Sequence, residues 1–306
     1  MSLADNALTD YATVAADVGL SGGADQLLVE RLINFASGAL KRYCNRPLAY
    51  LAGIAEPLRM EGGPRLLVTR TPVLALGQIT VDDGVLDATD YYLEDAFAGF
   101  IWRDAGWPWS ALMRAGRTEL NFTQDQEPLS EKTRTTVAYA GGYITSPQAY
   151  GASVWPAAGK TVAVGTLMKP ASQPTQLWVA TPVDPKQPMV TGSVEPSWPA
   201  SPNAARLAKQ ALVGGETETD GNVLWTYLGS CGAAGAPGTA VLDSGAGVPP
   251  DLEQACILTV KAHYRERADN PNVKSESLLG ASITYDRTKL LPPQAMSLAD
   301  QFRRTV

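Results

Sequence analysis

The 306-residue chain is 45% hydrophobic and 18% charged, with a formal net charge of −6. That composition excludes a disordered or fibrous chain and leaves room for more than one domain with a real core. The acidic balance argues against non-specific binding to nucleic acid, which needs clustered Lys and Arg, and no apolar run approaches the roughly 20 residues that span a bilayer.

The opening residues, Met1-Ser2-Leu3-Ala4-Asp5-Asn6, lack the basic and apolar blocks of a signal peptide. A first helix is predicted over Asp10 to Val18, with Thr9 as its cap, Gly19 as its left-handed stop, and Tyr11, Val14, Ala15 and Val18 along one stripe. A longer helix follows from Asp25 to Tyr43. Its expected buried face is Leu28, Leu32, Phe35, Leu40 and Tyr43, and Asn45-Arg46-Pro47 ends it because the residue before Pro is pushed out of the α region. The period then changes to two. Arg65–Thr69, Gln78–Val81, Tyr91–Leu93, Gly99–Trp102, Glu119–Phe122 and Arg134–Ala140 read as short strands. Val81-Asp82-Asp83-Gly84-Val85 has the Asp-Gly signature of a hairpin. These strands suggest a small antiparallel sheet or a β-ribbon arm. Asp82, Asp83, Asp87 and Asp90 lack the alternating ligands and closing Glu of a calcium loop, so they read as turn residues.

From about Thr145 to Gly247 the chain becomes rich in Gly, Pro, Ser and Thr with widely spaced Trp. Gly159-Lys160-Thr161 is not a phosphate loop, since the motif needs a Gly where this chain has Val154. Val162–Val164, Leu177–Ala180 and Leu224–Tyr227 are the candidate strands, and Ala204 to Lys209 the candidate helical turn.

A third long helix is expected from Pro250 to Ala268, with Leu252, Cys256, Val260 and Tyr264 on one face and Ala255, Thr259 and His263 beside them. His263 is the only histidine, and on such a face it reads as a hydrogen-bonded core residue. Beyond Pro271 the chain looks extended through Ile283-Thr284-Tyr285, then meets Leu291-Pro292-Pro293 and a short last helix. Cys44, Cys231 and Cys256 are odd in number and show no CxxC spacing, so neither disulfides nor a zinc site are expected. No Ser-His-Asp order, GxSxG elbow or HExxH pair occurs, so no catalytic residue, metal or cofactor is assigned. A glycosidase would need only two placed carboxylates, which sequence does not test. The expected fold class is α+β. A helical domain with a β-ribbon or hairpin arm (1–146 and 248–306) is interrupted by a small all-β module (147–247), an insertion that a surface loop tolerates.

Several outer segments carry a resemblance. They are Leu8-Thr9, Gly19-Leu20, Leu28 to Leu32, Leu40-Lys41-Arg42-Tyr43-Cys44-Asn45-Arg46-Pro47, Thr71-Pro72-Val73, Ile79 to Asp82 and Val137 to Tyr143. The set finishes with Val248 to Ala255, Tyr264 to Arg267, Ser275-Glu276-Ser277, Tyr285-Asp286, Leu291-Pro292-Pro293 and Phe302-Arg303-Arg304. In that order they resemble the head–tail adaptor (connector, or head-completion) proteins of long-tailed bacteriophages. The resemblance implies a non-enzymatic virion protein of the neck, at the head–tail interface. Its copies assemble under the portal protein as a ring, usually twelve-fold, that meets a downstream neck or tail-completion protein. It also implies that the C-terminal segment docks on the portal, which makes Ser275, Ser277, Ile283, Tyr285, Leu291, Phe302, Arg303 and Arg304 the docking candidates. An extended segment after the last long helix is expected to add little to a helical core and to be free to pair with a partner's sheet edge. A strongly negative ring would let DNA slide through its lumen without specific binding.

The string Trp155, Lys169-Pro170, Leu177 to Thr181, Glu195-Pro196-Ser197-Trp198-Pro199 and Asp220 to Trp225 is similar to a β-rich, carbohydrate-binding-like module found in phage structural proteins. Trp178, Trp198 and Trp225 are then either a glycan platform or the core of a small β module. The alternative function is host attachment through that module.

Overall fold

The computed structural model describes residues 3–20, 23–58, 63–82, 84–107, 135–155, 158–209, 211–231, 242, 244–266, 275–278, 281–284 and 290–304; of residues 211, 266, 275–278 and 281–284 it describes the backbone. The protein has an α+β fold. Its helices, among the described residues, are α1 (Tyr11–Val18), α2 (Gln26–Tyr43), α3 (Ser146–Gly151), α4 (Pro250–Glu266) and α5 (Pro293–Ala299).

The two ends of the chain make one bundle. Asp10, rather than Thr9, caps α1: its extended backbone lets Oδ1 accept from the Thr13 amide at 2.8 Å. Thr9 Oγ1 instead donates to Glu253 Oε1 at 3.0 Å, tying the start of the chain to α4. Gly19 ends α1 at φ 78°, as its lack of a Cβ allows. The buried face of α2 is Val29, Ile33, Ala36 and Leu40, while Phe35 is 39% exposed and Leu28 and Leu32 are half-buried. This face is turned by about one residue, roughly 100°, from the predicted stripe. Small side chains decide the rotation. Ala36 and Ser37 let α4 come close, with Ser37 Oγ 3.7 Å from Cys256 Sγ, and Ser37 Oγ also accepts from the Leu8 amide at 3.0 Å.

On α4 the expected face is buried at Leu252, Cys256 and Val260, and half-buried Tyr264 donates to Asp25 Oδ2 at 2.8 Å. The end of the chain departs from expectation. Leu291, Ala295 and Ala299 are 5%, 0% and 0% exposed and belong to the same core as Val29 and Leu252. Pro293 starts α5 where its missing amide costs nothing, and its alanines fit between α2 and α4. His263 Nε2 lies 3.2 Å from Leu290 O and its ring meets Phe35 edge-on at 5.1 Å, beside the start of α5.

The strands of the first half are β1 (Leu51–Leu58), β2 (Arg65–Leu67), β3 (Val73–Val81), β4 (Gly84–Val85), β5 (Tyr92–Asp95), β6 (Phe100–Trp102) and β7 (Thr135–Gly141). Of the two expected forms the small antiparallel sheet is present: one four-stranded sheet in the order β1-β7-β3-β4, beside a three-stranded sheet β2-β6-β5. Asp82 turns the β3–β4 hairpin at φ 50°. β1 escapes the sequence reading because Gly53 and Pro57 interrupt its alternation. Pro57 is tolerated because β1 is an edge strand, and Gly53, at φ 62°, lies in the irregular register between Leu51 and Ile54. The predicted strand Glu119–Phe122 and the residue Arg134 lie outside the described residues.

The second group is β8 (Ser153–Val154), β9 (Leu167–Lys169), β10 (Gln176–Pro182), β11 (Arg206–Ala208), β12 (Ala211–Val213), β13 (Thr217–Asp220) and β14 (Val223–Ser230). Five of these form a sheet in the order β13-β14-β10-β9-β8, and β11 and β12 pair as a hairpin. The helical turn expected at Ala204 to Lys209 is therefore strand β11. The strand expected at Val162–Val164 is displaced to Leu167–Lys169, since Val164 and Gly165 form a turn at the seam with the other sheet.

The four-stranded sheet is covered on both faces. Ile79, Val137 and Tyr139 pack under Leu66, Val68, Leu93 and Ile101 of the three-stranded sheet and its loops. Leu74, Ala75 and Ala140 pack against Leu177, Val179 and Leu228 of the five-stranded sheet. The seam is tight. Gly53 N donates to Val164 O at 2.7 Å, Tyr50 OH donates to Gly165 O, and a Cβ on Gly165 would collide with Ala140 and Tyr50. Residues 147–247 thus share a hydrophobic cluster with residues before them. Replacing Thr145 to Gly247 by a short linker would uncover Leu74, Ala75 and Ala140, so the neutral outcome expected from loop closure alone does not apply.

Candidate functional site

A concavity lies where the bundle, the three-stranded sheet and the return of the chain from the five-stranded sheet meet. It is a cleft of about 530 Å³. Its polar lining is Arg46, Thr71, Asp251, Gln301, Arg303 and Arg304, and its apolar lining includes Phe97, Tyr143, Pro249 and Phe302. Each element delivers its residue for a local reason. Arg46 follows Asn45, whose left-handed φ of 52° turns the chain off α2. Tyr143 follows Gly141 and Gly142, where any Cβ would strike the backbone of Arg70 or Ala49. The last helical turn, Asp300–Phe302, brings Gln301 and Phe302 to the lining, and the extended backbone of Arg303 leads on to Arg304.

Arg46 Nη1 donates to Thr71 Oγ1 at 2.6 Å, its guanidinium lies 5.9 Å from the Tyr143 ring centre, and its buried Nε has no acceptor among the described residues. Phe302 meets Tyr143 edge-on at 6.2 Å. Arg304 is anchored by backbone and side chain: its amide donates to Cys44 O at 3.0 Å and Nη1 to Thr69 O at 3.3 Å. Arg303 is exposed and lies 5.6 Å from the Tyr43 ring centre. The Tyr43 hydroxyl donates to Asp300, which raises its pKa. Asp251, the one carboxylate of the lining, accepts from Gln301 Nε2 at 2.7 Å. Burial raises the Tyr143 phenol while nearby Arg46 works against that shift.

The sequence-predicted docking residues divide. Phe302, Arg303 and Arg304 converge on the cleft. Leu291 does not reach a partner surface, because it is sealed in the bundle core. The backbone positions of Ser275, Ser277 and Ile283 lie on a separate hairpin of β15 (Ser275–Leu278) and β16 (Ala281–Thr284), where Ser277 pairs with Ser282 and Ile283 with Glu276. Tyr285 lies outside the described residues. Sequence reading missed Arg46, Thr71, Phe97, Tyr143 and Gln301, which are scattered in the chain. A usable signal was present: Asn45-Arg46-Pro47 and Phe302-Arg303-Arg304 both place Arg at a helix end beside an aromatic or Pro.

The glycan platform is not there. Trp178 and Trp225 are fully buried and Trp198 is 8% exposed, so none of these three indoles offers an open face to a sugar. They stack on one another and on Tyr227, with Trp178 4.8 Å from Trp198 and 5.3 Å from Tyr227. Each indole N–H has an acceptor: Gln176 for Trp178, Glu195 for Trp198 and Asp220 for Trp225. A small β module needs these side chains for its centre.

The cysteines are buried and free. Burial pushes the Cys44 thiol up to about 11 and Cys256 up to about 12, and raises Cys231 as well, so none is primed as a nucleophile. Burial likewise raises the carboxyl of Glu253, against the hydrogen bond from Thr9. Among the described residues, no three His, Cys, Asp or Glu are grouped to hold a metal ion, and no helix is long and apolar enough to cross a membrane. No protein-family model matches the chain, and no curated protein matches it either.

Proposed function

We propose that this protein is a structural component of a phage neck: a head–tail adaptor that binds a portal protein as a ring of copies and extends the DNA conduit toward a downstream neck or tail-completion protein. The observation that carries this reading is the shared core of the chain's two ends. Leu8, Leu40, Cys44, Leu252 and Ala255, all within the segments that resemble the adaptor family, pack in one small bundle, although most of the chain separates the two groups. Such a bundle gives a rigid body from which the β15–β16 hairpin leaves as a partner-seeking element, able to add its strands to a neighbouring sheet edge. The protein's work in this reading is shape and docking rather than chemistry, in the virion and with DNA passing unbound through the lumen. The host-attachment reading loses its support with the burial of the three indoles.

The test is co-expression with the portal protein encoded by the same phage genome, followed by electron microscopy of the purified complex. The expected result is a closed ring of this chain stacked on the portal, lost when residues 275–284 are replaced by a Gly-Ser linker that spares α5. A well-folded protein that never associates with portals, or normal tail joining without the hairpin, would count against it.

A further inference from the structure

We propose that the cleft between the bundle and the three-stranded sheet is a receptor for an acidic peptide segment, one carrying Asp or Glu beside an aromatic side chain. The inference stands on the cleft alone and goes beyond the adaptor reading. Three guanidiniums line it against one carboxylate, so the lining has a formal excess of +2 (three Arg minus one Asp) on a chain whose total is −6. Positive charge is concentrated here against the sign of the whole molecule. Neither Arg46, Arg303 nor Arg304 has an ion-pair partner among the described residues, whereas Arg65, Lys186 and Lys261 each pair with a carboxylate. Asp251 is occupied by Gln301 rather than by an arginine.

Geometry favours a peptide over a nucleic acid. A cleft of about 530 Å³ lies within the roughly 300–1,000 Å³ typical of ligand sites. A phosphate backbone is instead tracked by a long stripe of Lys and Arg. The apolar part supplies specificity of another kind. Phe97 is 47% exposed, and Phe302 lies edge-on to Tyr143 in the lining. The Phe97 ring and the open part of Phe302, backed by buried Tyr143, accept an aromatic side chain in edge or offset contact. Arg46 and Arg304 are each held by one hydrogen bond from a side-chain nitrogen to Thr71 or Thr69, which fixes the guanidinium before a ligand arrives. A carboxylate entering between them meets planar donors suited to paired N–H···O bonds.

Binding of a fluorescein-labelled peptide, Gly-Glu-Asp-Phe-Glu-Gly, to the full chain, read by fluorescence anisotropy at low and high salt, tests this. The expected result is saturable binding that weakens as salt screens the charges. It should fall about tenfold or more for the peptide Gly-Gln-Asn-Phe-Gln-Gly and for the double variant Arg303→Gln/Arg304→Gln. Arg303 is a surface residue, so the single Arg303→Gln variant keeps the test open if the double variant or Arg46→Gln fails to fold; Arg65→Gln, outside the cleft, should bind as the parent does. The proposal is overturned by no anisotropy change with the acidic peptide, by equal binding of the neutral peptide, by affinity indifferent to the cleft variants, or by displacement with an equal concentration of a short DNA duplex.

Discussion

The bundle of α1, α2, α4 and α5 fills its centre with aliphatics such as Ile33, Leu40, Leu252 and Val260 set among small residues, Ala36, Ala39, Ala255, Ala295, Ala299 and Cys256, whereas the five-stranded sheet packs Trp178, Trp198, Trp225 and Tyr227 together on one face. The first core works by close approach of helices, and it is sensitive to added volume. The second works by a few large side chains whose polar edges must each find a partner. Asp220 shows the cost of that choice. It is 3% exposed, and its two oxygens take the Gly192 amide at 2.6 Å, Trp155 Nε1 at 2.9 Å and Trp225 Nε1 at 3.4 Å. One buried carboxylate organises three separate segments.

The largest effect expected from this contrast is at the indoles. Trp225→Ala should cost about 3–5 kcal/mol, visible as a lowered denaturation midpoint with loss of near-ultraviolet ellipticity; a loss below about 1 kcal/mol would mean that the indole core is not what stabilises the sheet. Asp220→Ala comes next, at about 1–3 kcal/mol, the cost of a buried donor left without its acceptor while water reaches the others. If the midpoint of Asp220→Ala matches that of the parent, water has replaced the carboxylate and the three-segment junction is not cooperative. The smallest effect belongs to the bundle and depends on pH. Burial raises the folded-state carboxyl of Glu253 above its unfolded value. Its contribution to stability is therefore fully present below the unfolded pKa and is lost as pH rises through the folded one. Glu253→Gln, which still accepts from Thr9, should melt with the parent in acid and above it at neutral pH. Parallel melting curves for the two proteins across that range would remove Glu253 from the balance.

How much of this was legible beforehand follows from the same contrast. Helices α1, α2 and α4 were readable because their apolar spacing and their stop signals, Gly19 and Pro47, are local. The rotation of α2 was not, because sequence ranks Phe35 as a core residue by hydrophobicity while packing prefers the smaller Ala36 and Ser37. β1 was hidden by Pro57, whose tolerance depends on being at an edge, which is a property of the sheet and not of the strand. The arginine cleft was invisible because Arg46, Thr71, Phe97 and Tyr143 meet Arg303 and Arg304 only through tertiary contact. The burial of Trp178 and Trp225 was foreseeable from the needs of a small β module, and it takes these indoles out of consideration as a sugar platform.

One junction has a geometric meaning. Where the chain leaves for the five-stranded sheet and where it returns, Ile144 and Gly247 lie side by side in a parallel bridge, and Ile144 N donates to Ala246 O at 2.8 Å. The excursion therefore starts and ends at one point of the fold, clasped by a backbone hydrogen bond. A change in the length of that excursion would leave the distance between its two ends as it is.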